Sequence, residues 1–133
     1  DLSMLSQYAK VSNICFKLMR RNLPGAFTFI LPTSSQLPHL YKSRKTVGIR
    51  VPDNAIARAI AQQLGNPLLS SSVASVHSEI EYLTDPELMR EEFEHRVDLM
   101  VDGGIGGFTP STIVDCSGET PEITREGKGE LLW

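Results

Sequence analysis

Stretches of helical periodicity alternate along this chain with short β-branched and aromatic runs, and few architectures accept that order. A short helix is expected over residues 1–9. Ser12 is placed to cap a second helix, whose Ile14, Cys15, Leu18 and Met19 share a core-facing side while Lys17, Arg20 and Arg21 face water. Pro24 and Gly25 stop that helix, and residues 26–31 read as a largely buried strand. Residues 32–44, with Ser34, Ser35, Lys42 and Arg44, read as an irregular surface loop holding one helical turn. A second strand covers 46–51, with Val47, Ile49 and Val51 on one face and Thr46, Gly48 and Arg50 on the other. Asp53 is then the expected N-cap of a helix running to about Leu64, with Gly65 as its left-handed C-terminal cap. A short buried strand at 68–71 opens into a serine-rich turn. Thr84 or Asp85 caps a further helix with Pro86 in its first turn, ending near Arg96. Strands at 97–101, 111–116 and 122–125 complete the series, the first two separated by a glycine-rich loop from Asp102 to Phe108. The implied fold is α/β, a twisted mixed open sheet with flanking helices, built as a single domain over 1–133 without internal repeats.

Composition narrows the function classes. No apolar run approaches the roughly 18 residues of a membrane span, so no membrane partner is expected, and no charged segment followed by an apolar core suggests a signal peptide. The chain opens on Asp1 rather than Met, which reads as truncation at the N-terminus. Cys15 and Cys116 stand far apart without metal-ligand spacing, which argues against a disulfide framework and for a reducing, cytoplasmic setting. The net charge of −3 hides an asymmetry: residues 1–66 carry nine Lys/Arg against two acids, and residues 67–133 carry four against fourteen. A basic half fits a surface that meets phosphates or a polyanion, and it equally fits two halves that attract each other within one domain.

Several residues carry candidate chemistry. Ligands of open α/β sheets gather at the carboxyl ends of strands. Arg50 shares a strand face with Thr46 and Gly48, and its planar fork suits a carboxylate or phosphate. Ser70, Ser71 and Ser72 offer hydroxyl donors after a strand, or form a plain polar turn. The 102–107 loop lacks the Lys-Ser/Thr of a phosphate-binding P-loop and also reads as a mobile connection. His39, His77 and His95 show no ligand spacing among themselves or with the cysteines, so no metal site is expected. Glu87, Glu91, Glu92 and Glu94 read as a solvated helix face. No nucleophile elbow and no stacking platform for single-stranded nucleic acid are present.

Five segments in order take the reading further. Pro-Gly-Ala-Phe-Thr-Phe-Ile-Leu (24–31), Lys-Thr-Val-Gly-Ile-Arg-Val-Pro-Asp (45–53), Gly-Asn-Pro-Leu-Leu-Ser-Ser-Ser (65–72), Asp-Gly-Gly…Pro-Ser-Thr-Ile-Val-Asp (102–115) and Arg-Glu-Gly (125–127) together resemble the YrdC/YciO family. The resemblance implies a sheet around a basic concave surface. It also implies the chemistry of the threonylcarbamoyl-AMP synthases, which combine L-threonine, bicarbonate and ATP, the last with Mg, for N6-threonylcarbamoyladenosine formation in tRNA. It implies nucleotide contacts from Thr46 and Ser72, a phosphate contact from Arg125, and threonine contacts from Arg50, Ser70 and Ser111. Two departures stand beside it. The family's Lys-x-Arg motif has no counterpart here, and Ala74 occupies the Asn position of its Ser-x-Asn motif. These features resemble the YciO branch. They imply the alternative of a nucleotide-binding or double-stranded RNA-binding module without synthase activity, in which self-association through an exposed sheet edge is a further expectation.

Overall fold

A buried stripe organises the fold. In the computed structural model, which describes residues 2–35, 37, 39–41 and 43–133, strand β1 (Phe27–Pro32) buries Phe27, Phe29 and Leu31 while the alternate residues stay half-exposed. That is the two-residue period of a sheet with one covered face. Strand β2 (Thr46–Ile49) lies antiparallel to β1, with Phe29 opposite Ile49 and Pro32 opposite Thr46. On the other side β3 (Thr112–Asp115) runs parallel to β1, with Thr28 opposite Ile113. Strand β4 (Glu122–Arg125) pairs antiparallel with β3, so the sheet order is β2-β1-β3-β4. The expected mixed α/β sheet is therefore present.

Helices α1 (Leu5–Tyr8) and α2 (Asn13–Asn22) supply Leu5, Cys15, Leu18 and Met19 to a core shared with Phe29, Leu31, Val47, Val114 and Cys116. The Ser12 side chain accepts a hydrogen bond from the Cys15 N–H at 3.2 Å, the cap expected from sequence. Ile14, assigned to the core face, is instead 62 % exposed. It lies one position off the 15/18/19 stripe, where α2 turns away from the sheet. Asn22 is buried and latches the chain's last residues. Its Nδ2 donates to the Leu132 carbonyl and its Oδ1 accepts from the Leu132 N–H, both at 2.8 Å, while Arg21 donates to the Trp133 carbonyl.

Four local expectations need correction. Asn54, not Asp53, caps α3 (Ala55–Leu64): its Oδ1 accepts from the Ala57 N–H at 3.0 Å, and Asp53 faces Arg58 at 3.4 Å. Strand β2 stops at Ile49, two residues early. Residues 68–71 and 97–101 form no strands, because among the described residues no neighbouring strand offers its main chain to them. Helix α4 (Pro86–Phe93), capped by Asp85 onto the Glu87 N–H, ends three residues before Arg96. By contrast, Gly65 does adopt the left-handed geometry, with φ of 77°, that closes α3. Short 3₁₀ turns at His39–Tyr41 and Ile80–Leu83 complete the elements. Asp1, Gln36, Pro38 and Lys42, which fall within the first-helix and 32–44 readings, lie outside the described residues.

The chain divides into two compact units. One runs to Arg58 and resumes at Pro110–Trp133, and it holds the sheet and the core. The other, Ala59–Thr109, holds the end of α3, the second 3₁₀ turn and α4.

Both cysteines are buried free thiols. Burial, together with the hydrogen-bonding Cys15 thiol beside it, pushes the Cys116 thiol far above the ordinary range. The folded state thus holds this proton more tightly than the unfolded chain does. Its contribution to stability is complete below the unfolded thiol pKa of about 8.5 and is lost as pH rises beyond it toward the folded value. Denaturant midpoints should accordingly fall between neutral pH and about pH 10, and Cys116→Ala should shrink that fall. An equal fall in the variant would place its origin elsewhere.

Candidate functional site

The face of the sheet opposite the core carries the polar chemistry. Parallel pairing of β1 with β3, followed by antiparallel β4, sets Thr28, Ile113 and Arg125 in one row across three strands. Ser111 stands two residues before Ile113 and so shares its face. The Thr28 and Ser111 hydroxyls lie 2.7 Å apart. The Arg125 guanidinium donates to the Ser111 carbonyl from Nε at 3.1 Å and from Nη2 at 2.8 Å, and Nη2 also reaches the Ser111 hydroxyl at 3.3 Å. No carboxylate pairs with Arg125 among the described residues, and its Nη1 edge makes no bond there. A guanidinium has five N–H donors, so this one is held in place with donors left for an anion.

Gly48 borders the row. A Cβ there would meet the Thr28 methyl at 3.2 Å, so the missing side chain keeps this part of the face low. Arg50 leaves the β1–β2 ladder at its Thr28 end, since Phe29 pairs with Ile49, and it is exposed. Thr46 sits at the other end of β2 opposite Pro32, four residues and roughly 13 Å along the strand. An open cleft lies near that end, lined by Thr33, Ser34, Ser35, Leu37, Tyr41 and Arg44 among others. It joins the sheet through the Thr33 N–H, which donates to the Lys45 carbonyl at 3.0 Å.

Of the six residues singled out from sequence, the structure brings Ser111 and Arg125 into direct contact, with Arg50 at the same end of the sheet and Thr46 at the other. Ser70 and Ser72 belong to the Ala59–Thr109 unit and are exposed on a segment without regular structure. Thr28 was missed. Its strand reads as buried, and its contact with Ser111 spans 83 residues of chain. The cleft-lining hydroxyls lie in a stretch whose sequence reads only as an irregular surface loop. In the glycine-rich loop, the Asp102 carboxylate accepts from the Gly104 N–H at 2.9 Å, and Gly106 donates to the Thr84 carbonyl at 2.8 Å, so the loop is pinned at two points. Two carboxylates sit below their ordinary range. Glu92 is lowered by bonds from the Ser75 hydroxyl and the Val76 N–H, and Asp115 by the Ser117 hydroxyl and N–H. Among the described residues no group of three or more His, Cys, Asp or Glu is arranged to hold a metal, and no helix is long and apolar enough to cross a membrane.

A mixed open sheet that displays hydroxyls and an anchored guanidinium with free donors on its uncovered face defines an α/β domain suited to small anionic or zwitterionic ligands. The Sua5/YciO/YrdC family, described as telomere recombination, matches residues 1–127, and the chain belongs to that family. The YciO protein of Escherichia coli K12, named as uncharacterized, is 44% identical over 133 residues, covering 98% of this chain and 64% of its own. The E. coli YciO crystal structure superposes with a TM-score of 0.84. A threonylcarbamoyl-AMP synthase of Bacillus subtilis is 33% identical over 113 residues, 83% of this chain and 32% of that protein. The P. abyssi Sua5 structure complexed with L-threonine matches at TM-score 0.81 and 25% identity, over 96% of this chain and 38% of that one. This chain thus spans 64% of the length of the E. coli YciO protein and 63% of that of a Haemophilus influenzae relative named as uncharacterized.

The Ser111 main chain is also closely packed by a glycine. Gly127 packs so closely that a Cβ would collide with the Pro110 carbonyl oxygen and the Ser111 main chain. Gly127→Ala should therefore destabilise the protein by about 1–3 kcal/mol, as overpacking of fixed backbone does. Thermal melts check this, and an unchanged midpoint would mean that the Gly127 segment yields freely.

Proposed function

We propose that this chain binds L-threonine and ATP on the uncovered face of its sheet, as part of a threonylcarbamoyl-AMP-forming domain acting in tRNA modification. The observation that carries this reading is the Thr28–Ser111–Arg125 row, two hydroxyls and a guanidinium free of carboxylates, on a fold shared with a Sua5 protein solved with L-threonine. Arg50 meets the threonine carboxylate, with Ser111 as a further threonine contact. Thr46 and Arg125 serve the nucleotide, which enters with Mg, and bicarbonate supplies the carbamoyl carbon. The setting is the cytoplasm.

A second reading is favoured by one specific observation. Ala74 stands at the family's Asn position, and an alanine has no amide to donate to a phosphate or an attacking group. On that reading the chain is a YciO-type nucleotide- or double-stranded RNA-binding module without synthase chemistry, able to self-associate through a sheet edge. No acidic residue occurs between positions 2 and 52, and Lys10, Lys17, Arg20, Arg44 and Lys45 form no ion pair with a described residue, which supports a polyanion partner.

Calorimetric titration separates the two. On the first reading L-threonine and ATP bind, and Arg50→Lys weakens threonine binding about tenfold or more, because lysine keeps the charge and loses the fork, while the melting midpoint stays put. Equal threonine binding by the variant would remove Arg50 from the site. On the second reading threonine does not bind. Double-stranded RNA does, with an affinity that falls steeply between low and physiological salt as counterions are released. A flat salt response would end that reading.

A further inference from the structure

The chain's two cysteines, far apart in sequence, meet in the core of the sheet unit. Cys15 lies in the first turn of α2 and is 3 % exposed, and Cys116 directly follows β3 and is 6 % exposed. Their thiols are hydrogen-bonded to each other. Both main chains are fixed: the Cys15 N–H donates to the Ser12 hydroxyl at 3.2 Å, and the Cys116 N–H donates to the Ile30 carbonyl at 2.8 Å. A buried free cysteine ordinarily serves as a small apolar side chain, and one alone would carry no chemistry here. Two that bond each other differ, because each sulfur is the other's sole partner within the chain for a disulfide. Disulfide sulfurs stand about 2 Å apart, so oxidation would shorten a contact that already exists.

We propose that Cys15 and Cys116 are a site of reversible oxidation, at which hydrogen peroxide joins α2 to the end of β3 by an intramolecular disulfide. Burial selects a small oxidant. Helix ends fray, and opening of the first turn of α2 admits a molecule of that size to Cys15. Burial and the bond with Cys15 hold the proton on Cys116, which assigns the first attack to Cys15. The Cys15 sulfur gives up its proton and attacks one peroxide oxygen. The O–O bond breaks, the other oxygen leaves as water with that proton, and a sulfenic acid remains on Cys15. The Cys116 sulfur then attacks the Cys15 sulfur, the S–O bond breaks, and a second water leaves with the Cys116 proton. Two thiols are oxidised to one disulfide, and one peroxide is reduced to two waters. In a reducing compartment a dithiol reverses the bond by thiol–disulfide exchange, so its lifetime follows the supply of oxidant. A cross-link between positions so distant in sequence restricts the unfolded chain strongly, so the oxidised form is the more stable one.

The test treats the full chain with hydrogen peroxide, then unfolds it in the presence of an alkylating reagent and maps its peptides by mass. Peptide masses separate the cross-link from oxidation of methionines. The expected product is a single peptide pair joining Cys15 to Cys116, lighter by two hydrogens and unalkylated, with both thiols restored by dithiothreitol. The denaturant midpoint should rise on oxidation and return on reduction. Cys15→Ala and Cys116→Ala should give no cross-link within the chain and no rise in midpoint under the same treatment. Should either variant fail to fold, the wild-type peptide map decides alone. The proposal is overturned if both cysteines are still alkylated after treatment, if the disulfide joins two molecules, or if Cys15 goes on to a sulfinic acid without pairing. It is equally overturned if peroxide raises the midpoint of a folded single-cysteine variant as much as that of wild type.

Discussion

The packing of Phe27, Phe29 and Leu31 onto Cys15, Leu18 and Met19 is the contact on which everything else in the sheet unit rests. Among the described residues, β1 is the only strand flanked by two others that also places three side chains in the core. Once its inward face is committed to α2, the period of two commits Thr28 and Ile30 to the outward face. Parallel pairing with β3 then delivers Ser111 to Thr28, and β4 delivers Arg125 to Ser111. A one-residue slip of β1 would bury Thr28 and dissolve the polar row along with the core.

The row itself is an arrangement of restrained donors. Two hydroxyls and a guanidinium hold one another, so the orientation of each is largely set by the other two. The Ser111 main chain is the hinge of this arrangement. Arg125 bonds its carbonyl, and Gly127, two residues further along the same segment, packs directly against the same main chain. Segment 125–129 therefore both supplies the cation and fixes the group the cation rests on, with Thr112 anchoring it through the Gly127 N–H at 3.0 Å.

Local signals were legible where the chain answers to its neighbours in sequence. Ser12, Asp85 with Pro86, and Gly65 all mark helix ends that the structure keeps, because caps act over two to four residues. The alternation in β1 was equally plain. Asp53 and Asn54 are both competent caps, and only the helix's actual first turn decides between them. The stretches at 68–71 and 97–101 carry strand-like composition, but a strand exists only with a partner, and composition says nothing of whether one is present. The Thr28–Ser111–Arg125 row was half visible: Ser111 and Arg125 stood out through family resemblance, while the contact joining them to Thr28 depends on pairing across 83 residues, which no local pattern encodes.

The parallel pairing of β1 with β3 also has a consequence in time. On the ribosome β1 emerges more than 80 residues before its parallel neighbour, with the whole of Ala59–Thr109 made in between. An antiparallel hairpin with β2 can form early, but the other edge of β1 stays open until β3 is made, and Asn22 waits longer still for Leu132. Closing so long a loop carries a heavy entropic cost, and such topologies fold slowly. For that interval the most apolar strand of the protein presents an unpaired edge, which is the state that chaperones recognise and in which chains of this kind aggregate.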